Sequence, residues 1–178
     1  GSGKSVTLNT ILIAERRSGI VSVVADAQDG MSLPEAHGRV CHFGAGLAAV
    51  GATLSALCAV CDYRQEVSAR EGWGAFRIGD PWPLVNCTID EINLVLGADA
   101  EVPAEYRKWV TGMIARIQHT GRKMGVGLRF AGQSIHITDL GDADKVRAGA
   151  KRGNVWLGRA DYSTTAAMAT DMVTDGTE

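Results

Sequence analysis

Three consecutive residues near the start of the sequence, Gly3-Lys4-Ser5, have the types needed to bind a phosphate group. They fill the last three positions of the loop G-x-x-x-x-G-K-[ST], in which backbone amides hold phosphates, the lysine reaches the terminal phosphates and the hydroxyl ligates magnesium. The residues that follow favour a helix, whose N-terminus adds unpaired N–H groups and a partial positive charge. We therefore predict that a nucleotide is contacted by Gly1, Ser2, Gly3, Lys4, Ser5 and Val6.

Two carboxylates, Asp90 and Glu91, follow a mostly apolar stretch at residues 84–89. Such a stretch predicts a buried strand with both acids at its C-terminal end. Asp90 is suited to hold magnesium together with Ser5, and Glu91 is suited to act as general base toward the attacking water. A strand followed by an acidic helix cap would give the same letters. The order of the two motifs along the chain is what predicts a P-loop site that hydrolyses ATP.

A third candidate, Gln133, stands just past an apolar stretch at residues 128–131. Because the C-terminal ends of parallel strands lie at one edge of a sheet, the amide of Gln133 is predicted to face the nucleotide and to sense the γ-phosphate or orient water. An ordinary polar residue at a strand end is the alternative. Arg129 is unusual inside such a strand and indicates an edge or interface position.

The elements that must position these groups alternate between strand-like and helix-like patterns. Apolar β-branched runs predict strands and apolar residues at helical spacing predict helices. Alternation of this kind implies right-handed crossovers and an α/β fold, with a mostly parallel sheet covered by helices on both faces. The predicted helices are residues 4–17, 47–70, the stretch from Pro103 to Gly125, and 143–150; the predicted strands are 20–25, a minor one at 40–43, 84–89, 127–131 and a last one at 154–157.

Composition bounds the function classes. The 178 residues are enough for one domain, 46% are hydrophobic and 21% charged, and the formal net charge is −2. We expect a single, soluble globular domain, because no apolar run approaches the ~20 residues that span a bilayer. The weak negative charge argues against DNA binding by the whole surface of an isolated subunit. Cys58 and Cys61 form a C-x-x-C pair without further ligands, so we interpret the four cysteines as structural thiols in a reducing cytosol.

The phosphate-binding loop is incomplete at the N-terminal end. Its first glycine would lie three residues before Gly1, and the strand that feeds the loop would lie further upstream. We therefore expect residues 1–178 to be a fragment of a P-loop ATPase core that is truncated at both ends.

The motifs together resemble the FtsK/SpoIIIE family of DNA translocase motors over nearly the whole chain. The stretch GSGKSVTLNTIL resembles the phosphate loop and first helix of that family, and Val24-Ala25-Asp26 resembles its second strand. Thr88-Ile89-Asp90-Glu91 resembles its acidic motif, and residues 120–128 followed by Ala131-Gly132-Gln133 resemble "G-R-x-x-G-I-H-L" leading into "A-T-Q". Gly132 stands where the family usually has threonine. The branch most similar in character is the TraB-like conjugal-transfer branch.

The resemblance implies a RecA-like fold, ATP and Mg²⁺ as cofactors, double-stranded DNA as partner, and a hexameric ring in which a neighbouring subunit donates an arginine to the γ-phosphate. Arg152 and Arg159 are the candidates for that arginine, which would act in catalysis with Glu91 and Gln133. DNA phosphates would contact the pair Arg122-Lys123. A second basic cluster, which could also be a solvated face, comprises Lys145, Arg147, Lys151 and Arg152.

The resemblance also implies a cytoplasmic motor, at the inner face of the cell membrane where segments outside this sequence anchor it. Three alternatives stay open. A type VII secretion-like ATPase shares the same core but moves protein. A P-loop phosphotransferase would need an arginine-rich lid and an acceptor pocket, and neither is clear in the sequence. A protein that binds nucleotide without turnover would not need Glu91.

Overall fold

The computed structural model describes residues 3–77, 79, 81–133, 138–141 and 144–152. The predicted strand at 154–157 and the last residues of the chain lie outside these ranges. The helices are α1 (Lys4–Arg17), α2 (Leu47–Glu71), the one-turn α3 (Asn93–Leu96), α4 (Ala104–Met124) and α5 (Asp144–Lys151); the strands are β1 (Val21–Asp26), β2 (His42–Ala45), β3 (Val85–Asp90) and β4 (Val126–Phe130). Apart from α3, every element matches a predicted one to within a few residues.

The four described strands form one parallel sheet in the order β2-β1-β3-β4. Strands β1 and β3 are central and buried on both faces. β1 is accordingly a mostly apolar run, whereas β3 alternates apolar residues with the polar Asn86 and Thr88. The register pairs Asp26 with Asp90, so the two central strands end side by side. The fold class is therefore as predicted: α/β with a parallel sheet.

Helices cover both faces of the sheet. Strand residues alternate between the faces, so Val24 of β1 packs with Leu8 and Leu12 of α1 on one side. The neighbouring Val23 and Ala25 join the larger core formed with α2 and α4 on the other side. The side chains of Asp26 and Asp90 consequently belong to the face that α1 covers.

Helix α2 is, within the described residues, the one helix long and apolar enough to cross a membrane by length and composition. Its apolar side chains are instead part of the core: Val50, Leu54, Leu57, Cys58 and Cys61 are buried against the sheet and α4. The helix is thus the central packing element of a globular domain, and Cys58 and Cys61 are buried free thiols, as the sequence indicated.

A buried arginine, Arg64, connects several segments at the end of the sheet where the strands begin, which is the end opposite Asp26 and Asp90. Arg64 of α2 donates hydrogen bonds to the carbonyl oxygens of Met124, Gly125 and Pro83 at 2.8, 3.1 and 3.0 Å. Its guanidinium also lies 5.5 and 5.4 Å from the ring centroids of Phe76 and Trp82. Burial lowers the pKa of Arg64 from its ordinary value, and the side chain ties the end of α4 to the loop that enters β3.

Candidate functional site

Helix α1 begins directly beside the C-terminal end of β3. Gly3 precedes it with φ +74°, a left-handed conformation that glycine adopts without steric cost, and its carbonyl oxygen accepts the first helical hydrogen bond from the N–H of Thr7 at 2.9 Å. Lys4 is the first helical residue and reaches across to the end of β3. The free N–H groups of the α1 N-terminus are thereby brought to the same edge of the sheet as the strand-end carboxylates.

The Lys4 ammonium is held by the two predicted acids. Its Nζ lies 2.7 Å from Oδ1 of Asp90 and also contacts Oε1 of Glu91. Burial alone would lower the pKa of Lys4, but the hydrogen bonds to Asp90 and Glu91 outweigh it, so the pKa is raised above its usual 10.5. Lys4 is therefore charged at neutral pH, and it must exchange these partners to contact a phosphate.

One of the two carboxylate oxygens of Asp90 is buried without a hydrogen-bond partner among the described residues. The residue is fully buried, and Oδ1 accepts hydrogen bonds from Lys4 and from the N–H of Glu91, the latter at 2.9 Å. Oδ2 has no hydrogen-bond partner among the described residues. An ionised oxygen buried in this way is costly unless a cation or donor compensates it. The Asp90 carboxylate, and the hydroxyl of Ser5, which follows Lys4 on α1, are hard oxygen ligands of the kind that Mg²⁺ prefers.

The described residues contain no group of three or more His, Cys, Asp or Glu side chains that could hold a metal ion. In phosphate-transfer sites Mg²⁺ is usually held by one or two protein oxygens, and water and the phosphates complete its coordination. In such a site the ion would neutralise charge on the terminal phosphates, while Ser5 and Asp90 would hold it.

Glu91 is held in a strained backbone conformation. It has φ +52°, which costs a residue with a Cβ roughly 1–2 kcal/mol. Its side chain is buried except for a small fraction, and it turns back toward Lys4 instead of continuing β3. Strain of this kind aims a carboxylate at one place, which suits a general base.

Asp26 also lies at this edge, paired with Asp90 in the sheet, and its role could not be assigned from the sequence alone. It is fully buried, and its two oxygens accept hydrogen bonds from the N–H groups of Gln28 and Ser32 at 2.8 and 2.9 Å. The carbonyl oxygen of Ser32 in turn accepts a hydrogen bond from Oγ of Ser5 at 3.4 Å. Asp26 thus shapes the loop that contacts the Ser5 hydroxyl. The sequence did indicate its position, because Asp26 ends an apolar strand, as Asp90 does.

Gln133 lies just beyond β4 and is exposed, as expected for a residue at the open edge of the sheet. Its position depends on Asn93 of α3, whose Oδ1 accepts the Gln133 N–H at 2.9 Å while its Nδ2 donates to the carbonyl oxygen of Asp139 at 3.1 Å. A Cβ at Gly132 would lie 2.3 Å from that same Oδ1. The glycine at this position therefore makes room for Asn93, a residue that sequence reasoning missed.

The other predicted residues have fewer contacts to describe. Val6 lies in the first turn of α1, and it is 72% exposed. Arg122 and Lys123 are exposed in the last turn of α4, next to Gly125, whose carbonyl oxygen pairs with the N–H of Val85 at the start of β3. They therefore lie near the edge opposite the Asp90 carboxylate. Arg152 is exposed just after α5, while Gly1, Ser2 and Arg159 lie outside the described residues.

The prediction for Arg129 needs a correction. β4 does form an edge of the described sheet, but the guanidinium of Arg129 turns inward and forms an ion pair with Glu15 of α1. It also donates a hydrogen bond to Oγ1 of Thr88 at 2.7 Å. An internal partner, not an interface, accounts for an arginine in this strand.

The architecture matches solved structures of a conjugation coupling protein and a type VII secretion ATPase. The conjugation coupling protein TcpA of pCW3, solved as a monomer with ATPγS, superposes with a TM-score of 0.71 at 19% identity, over 85% of this chain and 44% of that one. The chain has a RecA-like P-loop ATPase fold. The cytoplasmic domain of the type VII secretion ATPase EccC of Thermomonospora curvata gives a TM-score of 0.61 at 20% identity, over 85% of this chain and 18% of that one.

A second EccC structure, containing ATPases 2 and 3 of the Thermomonospora curvata protein with a signal sequence peptide, gives a TM-score of 0.62 at 14% identity, over 84% of this chain and 28% of that one. The RecA-like core thus spans less than half the length of each of these neighbours. No model of a protein family and no curated protein sequence matched the chain. The resemblance to FtsK/SpoIIIE-type motors is confirmed at the level of the fold.

Proposed function

We propose that this chain is the core of an ATP-hydrolysing motor of the FtsK/SpoIIIE type that moves double-stranded DNA. One observation carries the ATPase part of the proposal: Lys4, at the first turn of α1, meets Asp90 and Glu91 at the end of a buried parallel strand. Phosphate-binding, metal-binding and basic groups are the three requirements of ATP hydrolysis, and this contact unites them. The fold shared with TcpA and EccC supports the same reading.

Each residue has a distinct role in the proposed reaction. The α1 N–H groups bind the phosphates, and Lys4 leaves its carboxylate partners to neutralise charge on the terminal phosphate. Ser5 and Asp90 would hold Mg²⁺, which would neutralise charge on the phosphates. Glu91 accepts the proton of the attacking water, and the amide of Gln133 orients that water or contacts the γ-phosphate.

The arginine of a neighbouring subunit would complete the site. In a hexameric ring, Arg152 or Arg159 would reach the γ-phosphate bound next door and stabilise the charge that develops there. The ring would lie in the cytoplasm, at the inner face of the membrane where other segments anchor it. Gly1 and Ser2 complete the phosphate contacts in this proposal, and Val6 contributes through its backbone.

The substrate that the motor moves could be DNA or protein. TcpA is a conjugation coupling protein, which favours DNA, whereas EccC is a type VII secretion ATPase, which favours protein. We favour DNA because the exposed pair Arg122-Lys123 offers phosphate contacts without sequence reading. Such phosphate contacts weaken as the salt concentration rises. For each phosphate that the protein neutralises, the binding constant for DNA falls by about 0.9 logarithmic units for every tenfold increase in salt.

The test uses the complete protein with Glu91→Gln, a change that keeps the size of the side chain and removes its basicity. Binding of a fluorescent ATP analogue with Mg²⁺ should persist, while turnover should fall by about 10²–10⁴-fold, the usual contribution of a general base. Lys4→Ala should lose nucleotide binding. Wild-type turnover in Glu91→Gln would remove Glu91 from the mechanism.

The cargo is tested in the same assay by adding double-stranded DNA or a secreted protein substrate. DNA should stimulate wild-type turnover, and the stimulation should decline steeply with salt. The double variant Arg122→Gln, Lys123→Gln should lose the stimulation and keep the basal rate, whereas neutralising the exposed Arg70 of α2 should change neither. Stimulation by protein and not by DNA would transfer the motor to the secretion class.

A further inference from the structure

A buried polar network lies beneath the site, between α1 and the sheet. We name it the Glu15 network; its members are Glu15, Ser22, Asn86, Thr88 and Arg129. The carboxylate of Glu15 is 5% exposed and accepts hydrogen bonds from Oγ of Ser22 at 2.6 Å, from Nδ2 of Asn86 at 2.9 Å and from Nη2 of Arg129. Nη1 of Arg129 donates to Oγ1 of Thr88 at 2.7 Å.

The Glu15 network supplies the polar contacts that hold α1 on the sheet, in addition to its apolar packing. Within the described structure, α1 buries the apolar side chains of Leu8 and Leu12 and, one turn further on, Glu15. A helix held by so few apolar side chains can shift or rotate on a sheet, because apolar packing is not directional. A carboxylate that accepts bonds from three strands fixes both the height and the rotation of the helix.

The Glu15 network contains at least one residue from each strand that leads to a residue of the candidate site. Ser22 stands four residues before Asp26 on β1, Asn86 four before Asp90 on β3, and Arg129 four before Gln133 after β4. At about 3.3 Å per strand residue, the network lies roughly 13 Å below the strand-end groups. On α1, Glu15 lies roughly 16 Å from Lys4 at 1.5 Å per residue.

We propose that Glu15 is a positioning residue: it sets the placement of α1 over β1, β3 and β4, and thereby the alignment of Lys4 and Ser5 with Asp90 and Gln133. The inference rests on the proposed ATPase function. Its consequence is that the charge of Glu15 affects turnover at a distance, because a misplacement of about 1 Å can cost on the order of 10²-fold in rate.

The experiment compares Glu15→Gln with wild type in the complete protein, at a temperature well below both unfolding midpoints. Glutamine keeps the shape and one acceptor oxygen but removes the charge opposite Arg129. We expect kcat/KM for ATP to fall at least tenfold while circular dichroism reports the native fold. The double variant Glu15→Gln, Arg129→Gln removes the unpaired charge and should recover a substantial part of the loss.

The matched control is Arg64→Lys. Arg64 is equally buried, at 5% exposure, and equally rich in hydrogen bonds, but it anchors the opposite edge of the sheet on the face away from α1. It should lower the unfolding midpoint and leave kcat/KM unchanged. A Glu15→Gln variant that behaves like this control would overturn the proposal, since a purely structural group moves only the midpoint.

A milder variant covers the case in which Glu15→Gln does not fold. Thr88→Val keeps the shape of the side chain and removes one hydroxyl, the acceptor for Arg129. A fall of kcat/KM of about threefold or more supports the network's positioning role, and an unchanged value overturns it. Absence of ATP turnover in wild type would instead refute the proposed function, so the two failures are distinguishable.

Discussion

Gly132→Ala is expected to damage the site through Asn93, and the structure gives the size of the effect. The added Cβ would lie 2.3 Å from Oδ1 of Asn93 and 3.2 Å from Cγ2 of Ile92. Asn93 must therefore move and release the N–H of Gln133, which it now accepts at 2.9 Å. Gly132 does not have a positive φ, so alanine adds no backbone strain of its own.

The cost has two parts. A lost neutral hydrogen bond is worth about 1 kcal/mol, and a side chain pushed from its rotamer adds roughly another 1 kcal/mol. For a domain of this size a loss of about 2 kcal/mol lowers the unfolding midpoint by roughly 4–8 °C. Displacement of Gln133 should lower kcat by about tenfold, as for other positional errors near the reacting groups.

A double-mutant cycle with Asn93→Ala isolates the mechanism, using thermal unfolding and steady-state ATP turnover on four proteins. Truncation of Asn93 removes the 2.3 Å clash and leaves the 3.2 Å contact with Cγ2 of Ile92, so Gly132→Ala should cost much less in the Asn93→Ala background. The expected coupling is about 1–2 kcal/mol in stability. Strict additivity of the two changes would refute the reasoning, because it would mean that Gly132 and Asn93 do not share one space.

Two further predictions follow from the charged and thiol groups. The pKa of Lys4 is raised above 10.5 in the folded state. Its ion pair therefore stabilises the nucleotide-free protein fully below pH 10.5, and this stabilisation is lost as pH rises through the higher folded pKa. The difference in unfolding free energy between wild type and Lys4→Met should shrink above about pH 10.5, and a pH-independent difference would contradict the prediction. Of the four cysteines, Cys41 is exposed while Cys58, Cys61 and Cys87 are buried, and burial raises the pKa of Cys87 to about 12. Mass spectrometry of native protein treated with iodoacetamide at pH 8 should therefore show one thiol that reacts rapidly. The rapid reaction should disappear in Cys41→Ser.

The sequence was informative where chemistry and pattern coincide. Asp90 and Glu91 follow a mostly apolar run at residues 84–89, and such runs identify buried parallel strands without knowledge of their partners. The Gly3-Lys4-Ser5 motif then had to lie at the same edge, since parallel strands end together. The contact of Lys4 with Asp90 and Glu91 is the outcome of these two local patterns.

What the sequence did not reveal are contacts between distant residues with ordinary side chains. Asn93 holds Gln133 from 40 positions away, and it does so on α3, a single turn too short to produce a hydrophobic period. Glu15 reads as an exposed residue near the end of a helix, because the arginine that accounts for its burial is 114 positions away. Only the register of the strands brings Ser22, Asn86 and Arg129 under one carboxylate.

The contacts of Lys4 with Asp90 and Glu91 give this lysine a second role. Asp26 and Asp90 end paired strands, both fully buried, and Glu91 follows at once, so three carboxylates crowd one edge of the sheet. Asp26 is stabilised by two backbone N–H groups, but Asp90 and Glu91 share the Lys4 ammonium. Lys4 therefore offsets part of the charge of Asp90 and Glu91, and in the proposed reaction a phosphate that draws Lys4 away from Oδ1 would leave Asp90 in need of another cation. Nucleotide and divalent cation should for this reason bind cooperatively, and Lys4→Met should weaken that coupling as well as the affinity for nucleotide.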